Sequence, residues 1–221
     1  VDTLASLAFD FPRRSTFFFF LLKNFLILSK EQGLTPLDVY GSYAGAMGYP
    51  QFMPSSWRNL AVDFDGDNKI DLLNNPVDAI GSVANYFKSN GWKTNEAIAT
   101  RAKIIADNYD EAITSKDLKT SSTLAEIKSK GLDVKEGAFA STMPASALRL
   151  QGENGAEFWL AFNNFYVITT YNRSTLYAMA VMQLSQALKE ARAQVNSSQS
   201  LVPIIEETPA TVPDALPTAT F

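Results

Sequence analysis

A chain of 221 residues, 46% of them hydrophobic, is long enough to bury one substantial core with a smaller second lobe. Its 19 Lys and Arg stand against 23 Asp and Glu, a net charge of -4, so it lacks the basic face that phosphate binding requires. There is no cysteine and no histidine, which excludes disulfides, thiolate or imidazole zinc sites, and Cys or Ser-His nucleophile systems. Chemistry must come from carboxylates, Tyr, Lys, hydroxyls, amides or an oxygen-bound metal.

Leu4, Leu7 and Ala8 share a helical face before Pro12 interrupts the pattern. Val1 is not an initiator methionine and no signal peptide is visible, so the chain reads as a fragment or a processed form. A second helix is predicted over residues 15–32, with Phe17, Leu21, Phe25 and Leu28 at steps of four and three and Gly33 as its stop. Its run "TFFFFLLKNFLIL" (16–28) is too short to cross hydrocarbon and has Lys23 and Asn24 inside it. It reads as a core helix, and the chain as having no transmembrane span.

Next comes "GAMGYPQFMPSS" (45–56), uncharged and rich in small residues. Such a run lets a ligand approach the backbone. Gln51 offers a donor and an acceptor, as sugar hydroxyls and acetamides require, and Met47, Tyr49, Phe52 and Met53 offer apolar surface for sugar rings. A turn ahead of a helix starting near Ser55, or a close helix contact, explains the same composition.

The segment "DFDGDNKIDLLN" (63–74) nearly matches the calcium loop of an EF-hand. Asp63, Asp65 and Asp67 occupy positions one, three and five, Lys69 offers its carbonyl at seven, Asp71 is ninth, and Asn74 stands at twelve. Asn68 replaces the usual glycine at six but tolerates a left-handed backbone, and Asn74 replaces the bidentate Glu. The expected cofactor is a structural calcium ion, with sodium as the alternative, and no organic cofactor. A solvated acidic turn is the plainer reading.

"NPVDAIGSVANYFKSNGW" (75–92) is the clearest helix: Asn75 caps, Pro76 fits the first turn, Gly91 terminates, and the stripe Val77, Ile80, Ala84, Phe87 is expected to face the core. Tyr86 falls off that stripe, on a shoulder with Ala79 and Ser82. Beyond it, "AIATRAKII", "SALRLQG", "EFWLAF" and "FYVITTY" read as short strands and "TLAEIKSKG" as a helix. A last helix is expected from Ser174 to about Arg192, with Tyr177 at the head of a Val181, Leu184, Leu188 stripe. The Pro-, Thr- and Ser-rich end reads as a flexible tail. The expected organisation is a helical core over 1–92, a small mixed lobe over 93–171, a closing helix over 172–196 and a tail over 197–221.

The block from Gly41 to Trp92, together with "LAFDFPRR" (7–14) and "NFYVITTYNRSTLYAMAVMQL" (164–184), closely resembles the lytic murein transglycosylase B family. The resemblance implies a mainly α (α+β) fold, with a lysozyme-like helical domain, a smaller β-containing lobe and an EF-hand-like loop. It implies a periplasmic enzyme that cleaves the MurNAc-β-1,4-GlcNAc bond of peptidoglycan glycan strands and leaves 1,6-anhydroMurNAc, with one glutamate as acid and then base. It implies Ser42 and Gln51 as polar groups near the cleavage point, Tyr86, Tyr171, Asn172 and Tyr177 along the subsites, and Arg13 and Arg14 toward the substrate's acidic portion. The family's catalytic glutamate precedes the segment resembling "VDTLASLAFD", so the chain is expected to lack it, and no residue is assigned as catalytic. The partners expected are glycan strands and muropeptides, with no nucleic acid, and a monomer. A muropeptide-binding module without turnover, or a calcium-stabilised structural module, is the alternative. "STFFFFLLKNFL" departs from the family, whose members carry polar and acidic residues there.

Overall fold

A computed structural model describes residues 1–114, 118–135 and 137–199, with side chains to 196. The expected tail beyond residue 199 lies outside the described residues. The chain divides into two compact units, Val1–Ala178 and Met179–Phe221.

Helices α1 (Asp2–Phe9) and α2 (Ser15–Glu31) open the first unit, joined by a single 3-10 turn at Pro12–Arg14. Gly33, at φ +63, follows the end of α2, the left-handed backbone that favours glycine after a helix. The buried face of α2 is Phe18, Leu21, Phe25 and Leu28. Phe17, which the spacing places on that face, is half exposed, one position out of phase with Phe18. Leu4 and Ala8 of α1 close the same core from the other side. Helix α3 (Pro54–Leu60) is tied to α2 by Arg58, whose guanidinium donates twice to Glu31 at 2.8 Å and once to Asn24 at 2.8 Å.

Helix α4 (Pro76–Ser89) starts as its sequence predicts: the Asn75 side chain accepts from the amides of Val77 and Asp78, and Gly91 lies past its end at φ +91. Its core face differs from the expected one. Val77 and Ile80 are exposed, Ile80 by 70%, whereas Asp78, Ala79, Gly81 and Ser82 are buried. The polar side chains on the inward face meet backbone. Asp78 accepts from Phe64 and Asp71 amides at 2.8 and 2.9 Å, Ser82 accepts from Val62 at 3.0 Å, and Asn85 donates to the Leu60 carbonyl at 2.9 Å. A loop laid against a helix needs hydrogen-bonding partners for its amides and carbonyls, so apolar periodicity points to the wrong face here.

Residues 93–162 carry the sheet. Strands β1 (Ala99–Arg101), β3 (Ser122–Thr123), β5 (Pro144–Gly152) and β6 (Gly155–Ala161) form an antiparallel sheet in the order β1-β6-β5-β3. A second pair joins β2 (Lys103–Ile104) to β4 (Leu132–Asp133). Helix α5 (Leu124–Ser129) begins on a capping box between Thr123 and Glu126 and buries Leu124 and Ile127 against Ala145, Ala147, Leu160 and Phe162. The segment "FYVITTY", expected as a strand, is instead helix α6 (Asn163–Tyr171). β-branched residues raise strand propensity only weakly, and burial of Phe165, Val167 and Ile168 on a helix decides the matter. Asn164 latches α6 to the start of the lobe: it accepts from the Lys93 amide and donates to the Lys93 and Glu96 carbonyls at 2.8–3.0 Å.

Helix α7 (Thr175–Gln199) begins in the first unit and continues into the second. It is longer than its sequence pattern suggests, and Leu184 and Leu188 of the expected stripe are exposed.

Candidate functional site

The uncharged run at 45–56 folds as a tight platform. Met47 pairs with Gly41 on one side and with Phe52 on the other, and the Met47 and Phe52 amides and carbonyls exchange hydrogen bonds at 2.9 and 3.0 Å. Both side chains point into the core. They are therefore unavailable as surface for sugar rings, contrary to the reading from composition. The exposed positions are Tyr49 and Gln51, with Met53 partly buried. Gly48 sits at φ +67, and a Cβ there would lie 2.4 Å from the Leu72 carbonyl, which itself accepts from the Tyr49 amide at 2.9 Å. Only glycine allows that approach.

Ser42 and Gln51 lie next to Gly41 and Phe52, so they flank Met47 on the outer segments of the platform. The Ser42 hydroxyl oxygen accepts from the amides of Ala44 and Ala46 at 3.2 and 3.1 Å, which leaves its O–H to donate elsewhere. It borders a cavity of about 190 Å³ that Asp2 and Tyr40 also line. Sequence reasoning missed both of those: Asp2 reads as a helix-start acid, and Tyr40 lies in a stretch with no period. Gln51 adopts φ +52, and its Nε2 donates to the Gly48 carbonyl at 3.0 Å, so its Oε1 is turned away from that bond. Beside it, Tyr49, Pro50, Pro76, Ala79, Ile80 and Val83 line an apolar hollow of about 330 Å³.

Aromatic rings underlie the platform. Tyr171 ends α6 and its hydroxyl donates to the Pro50 carbonyl. Its ring lies 5.0 Å from Tyr86, 5.9 Å from Phe52 and 6.5 Å from Tyr177, stacked on the last at 6°. Tyr86 donates to the Thr170 carbonyl at 2.9 Å. Burial, and then neighbouring Tyr177 and Tyr86, push the Tyr171 phenol above its ordinary value, so it remains a neutral donor. The hydroxyls of Tyr86 and Tyr171 are both engaged inside the protein. Tyr177, more exposed, has no hydrogen bond from its hydroxyl among the described residues. Asn172 accepts from the Ser174 amide at 3.1 Å and turns the chain from α6 into α7.

Arg13 and Arg14 lie in the 3-10 turn, with exposed side chains. The Arg14 guanidinium stacks 4.3 Å above the Phe17 ring. No hydrogen bond or ion pair joins either arginine to Ser42, Gln51, Tyr86 or Tyr171 among the described residues.

The acidic loop brings carboxylate oxygens of Asp63, Asp65 and Asp67 within 4.8 Å of one another. Asp63 accepts from the amides of Gly66, Asp67 and Asn68, and Asp67 from that of Lys69. Gly66 and Asn68 both take positive φ, as the tight winding demands. Lys69 turns its ammonium to Asp71 at 3.0 Å, and the Asn74 amide also donates to Asp71. Burial works upward on the Asp71 carboxyl, but Lys69 and the amides of Asn74 and Leu73 hold it below its ordinary value. The donor set is all oxygen, which suits a hard cation. The clamp on this loop is Asp78, which sequence reasoning missed because an acid in the first turn of a helix is ordinary.

The family profile described as "Transglycosylase SLT domain" matches residues 1–186. The membrane-bound lytic murein transglycosylase B of Escherichia coli (strain K12) is 44% identical over 194 residues, 88% of this chain and 52% of the relative, so the chain spans about half the relative's length. The crystal structure of soluble lytic transglycosylase SltB1 from Pseudomonas aeruginosa superposes with a TM-score of 0.82 at 46% identity, covering 87% of this chain and 63% of that one. The Escherichia coli lytic transglycosylase Slt35, solved in complex with calcium, superposes with a TM-score of 0.78 at 44% identity, covering 87% and 59%. With the platform, the acidic loop and the helical core all inside the matched region, the chain belongs to the transglycosylase SLT domain family, beside the lytic murein transglycosylases of the B type.

Proposed function

We propose that this chain is the glycan-binding body of a peptidoglycan lytic transglycosylase, acting on the MurNAc-β-1,4-GlcNAc bond in the periplasm and leaving a 1,6-anhydroMurNAc end. The observation that carries the reading is the pair of polar atoms on the platform: a Ser42 hydroxyl with both acceptor sites filled, and a Gln51 amide with one end fixed. A donor and an acceptor held at set positions suit the acetamide and hydroxyl groups of an N-acetyl sugar. Tyr49 and Tyr177 offer ring faces, Asn172 borders the same tyrosine group, and Arg13 and Arg14 would meet an acidic stem. The protein would act as a monomer.

Gln51→Ala is expected to weaken muropeptide binding by about 1–3 kcal/mol, the penalty of leaving a polar partner unpaired. Gln51 is exposed, so the melting temperature should hold. Calorimetry that gives mutant and parent equal affinity removes Gln51 from the site.

We further propose that Asp63, Asp65 and Asp67, with the Lys69 carbonyl and Asn74, hold a structural calcium ion. The ion would neutralise three gathered carboxylates and pin the loop between α3 and α4. Calcium at a hundredfold excess over its Kd should then stabilise the fold by about 2.7 kcal/mol, since it binds only the folded form. Asp63→Ala with Asp67→Ala should abolish the rise in melting temperature. Identical melting in calcium and in chelator would reduce the loop to an acidic turn.

A further inference from the structure

The outward face of α1 and α2 has no role in the reading above. Phe9, Phe19 and Phe20 are 68%, 52% and 53% exposed, and Leu26 is about half exposed. Phe19, Lys23, Leu26 and Lys30 recur at helical spacing on the side of α2 opposite Phe18, Leu21, Phe25 and Leu28. Phe9 extends the patch across to α1, its ring 6.0 Å from that of Phe19. Large phenylalanines gathered in water rather than singly scattered mark a surface that is covered in use.

Charge narrows what covers it. On the outward side of α2 the charged residues are the exposed cations Lys23 and Lys30, within a chain of net charge -4, and the exposed acid Asp10 follows Phe9 at the edge of the patch. Among the described residues no ion pair engages Lys23 or Lys30. A second copy docked through this face would bring the two lysines of each copy together, with Asp10 at the patch edge as the acid to answer them. A bare glycan strand could lay sugar faces on the rings but brings no charge to the lysines. Phenylalanines interleaved with lysines suit a partner that is anionic outside and apolar beneath.

We propose that the α1–α2 face, through Phe9, Phe19, Phe20, Leu26, Lys23 and Lys30, docks the protein on the surface of an anionic phospholipid bilayer. The rings enter the boundary between headgroups and acyl chains, and the lysines stay with the phosphates. The contact is peripheral: no helix among the described residues is long and apolar enough to cross a membrane.

Co-sedimentation of Val1–Phe221 with vesicles tests this. Vesicles of phosphatidylglycerol in phosphatidylcholine should retain the protein, phosphatidylcholine alone should retain much less, and added salt should weaken the difference. Phe19→Ser with Phe20→Ser should lower partitioning at least about tenfold with an unchanged melting temperature, because both rings are already half in water. Lys23→Gln with Lys30→Gln should lower it by about fivefold per cation on anionic vesicles and leave neutral ones unaffected. No retention on anionic vesicles, or equal retention on both kinds, overturns the proposal. So does a concentration-dependent dimer, seen by sedimentation velocity, that the phenylalanine variant dissociates.

Discussion

Asp78→Ala is expected to lower the free energy of unfolding by about 3 kcal/mol or more, more than any exposed change on the same helix. The Asp78 carboxylate is fully buried and receives the Phe64 amide at 2.8 Å and the Asp71 amide at 2.9 Å. These two residues bracket most of the acidic loop, so one side chain holds both of its ends to α4. Hydrogen bonds to a charged acceptor contribute about 1.5–3 kcal/mol each, and deletion leaves two amides without a partner. Phe64 would also lose its seat: its ring packs so closely on Gly81 that a Cβ there would lie 2.3 Å from its Cγ. Asp78→Asn keeps the volume but turns an amide into one of the two bonds, so an intermediate loss is expected. Ile80→Ala is the control. It lies on the exposed face of the same helix and should change stability by less than about 0.5 kcal/mol. Urea titration at fixed calcium measures all three, and equal midpoints for Asp78→Ala and Ile80→Ala would show that the clamp contributes nothing.

Purified Val1–Phe221 is expected to bind glycan and release no 1,6-anhydromuropeptide. The reaction needs a carboxyl that still carries its proton near neutral pH and can later take one back, which burial in a cleft achieves by raising its pKa. The carboxyls whose acidity this fold moves are moved the other way. Glu31 is held below the ordinary range by the bidentate Arg58, Glu126 by its capping bonds with Thr123, Asp133 by Lys128, and Glu157 by Arg101 and the Trp159 indole. Each of these stays ionised as pH falls past the usual carboxylate value, so each is a poor acid at neutrality. Asp63, Asp65 and Asp67 are gathered in the acidic loop, where their oxygens accept backbone amides. Mass spectrometry of peptidoglycan incubated with the chain decides the matter. Anhydro products that vanish when one of its own glutamates is replaced by glutamine would identify that glutamate as the acid. A complete absence of products alongside measurable muropeptide binding is the expected result.

Several parts of the fold were legible because local chemistry settles them. Asn75 and Pro76 start α4 wherever it packs, and Gly33 and Gly91 mark the ends of α2 and α4. The gathering of Asp63, Asp65 and Asp67 was legible from their spacing in the acidic loop. Other features depend on which surfaces meet, and no window of sequence contains that. The inward face of α4 carries Asp78, Ser82 and Asn85 because they satisfy the backbone of the loop from Leu60 to Asp71, which lies across it. Residues 163–171, strand-like in composition, are helical because Asn164 and Phe165 must reach the lobe and the core at helical spacing. Met47 and Phe52 are core residues because their own backbone pairing turns both side chains inward, which leaves Ser42 and Gln51 at the surface. The residue types available to the site were thus set by the sequence. Tertiary packing decided which of them face a ligand, because burial of the apolar ones determines where the polar ones are left.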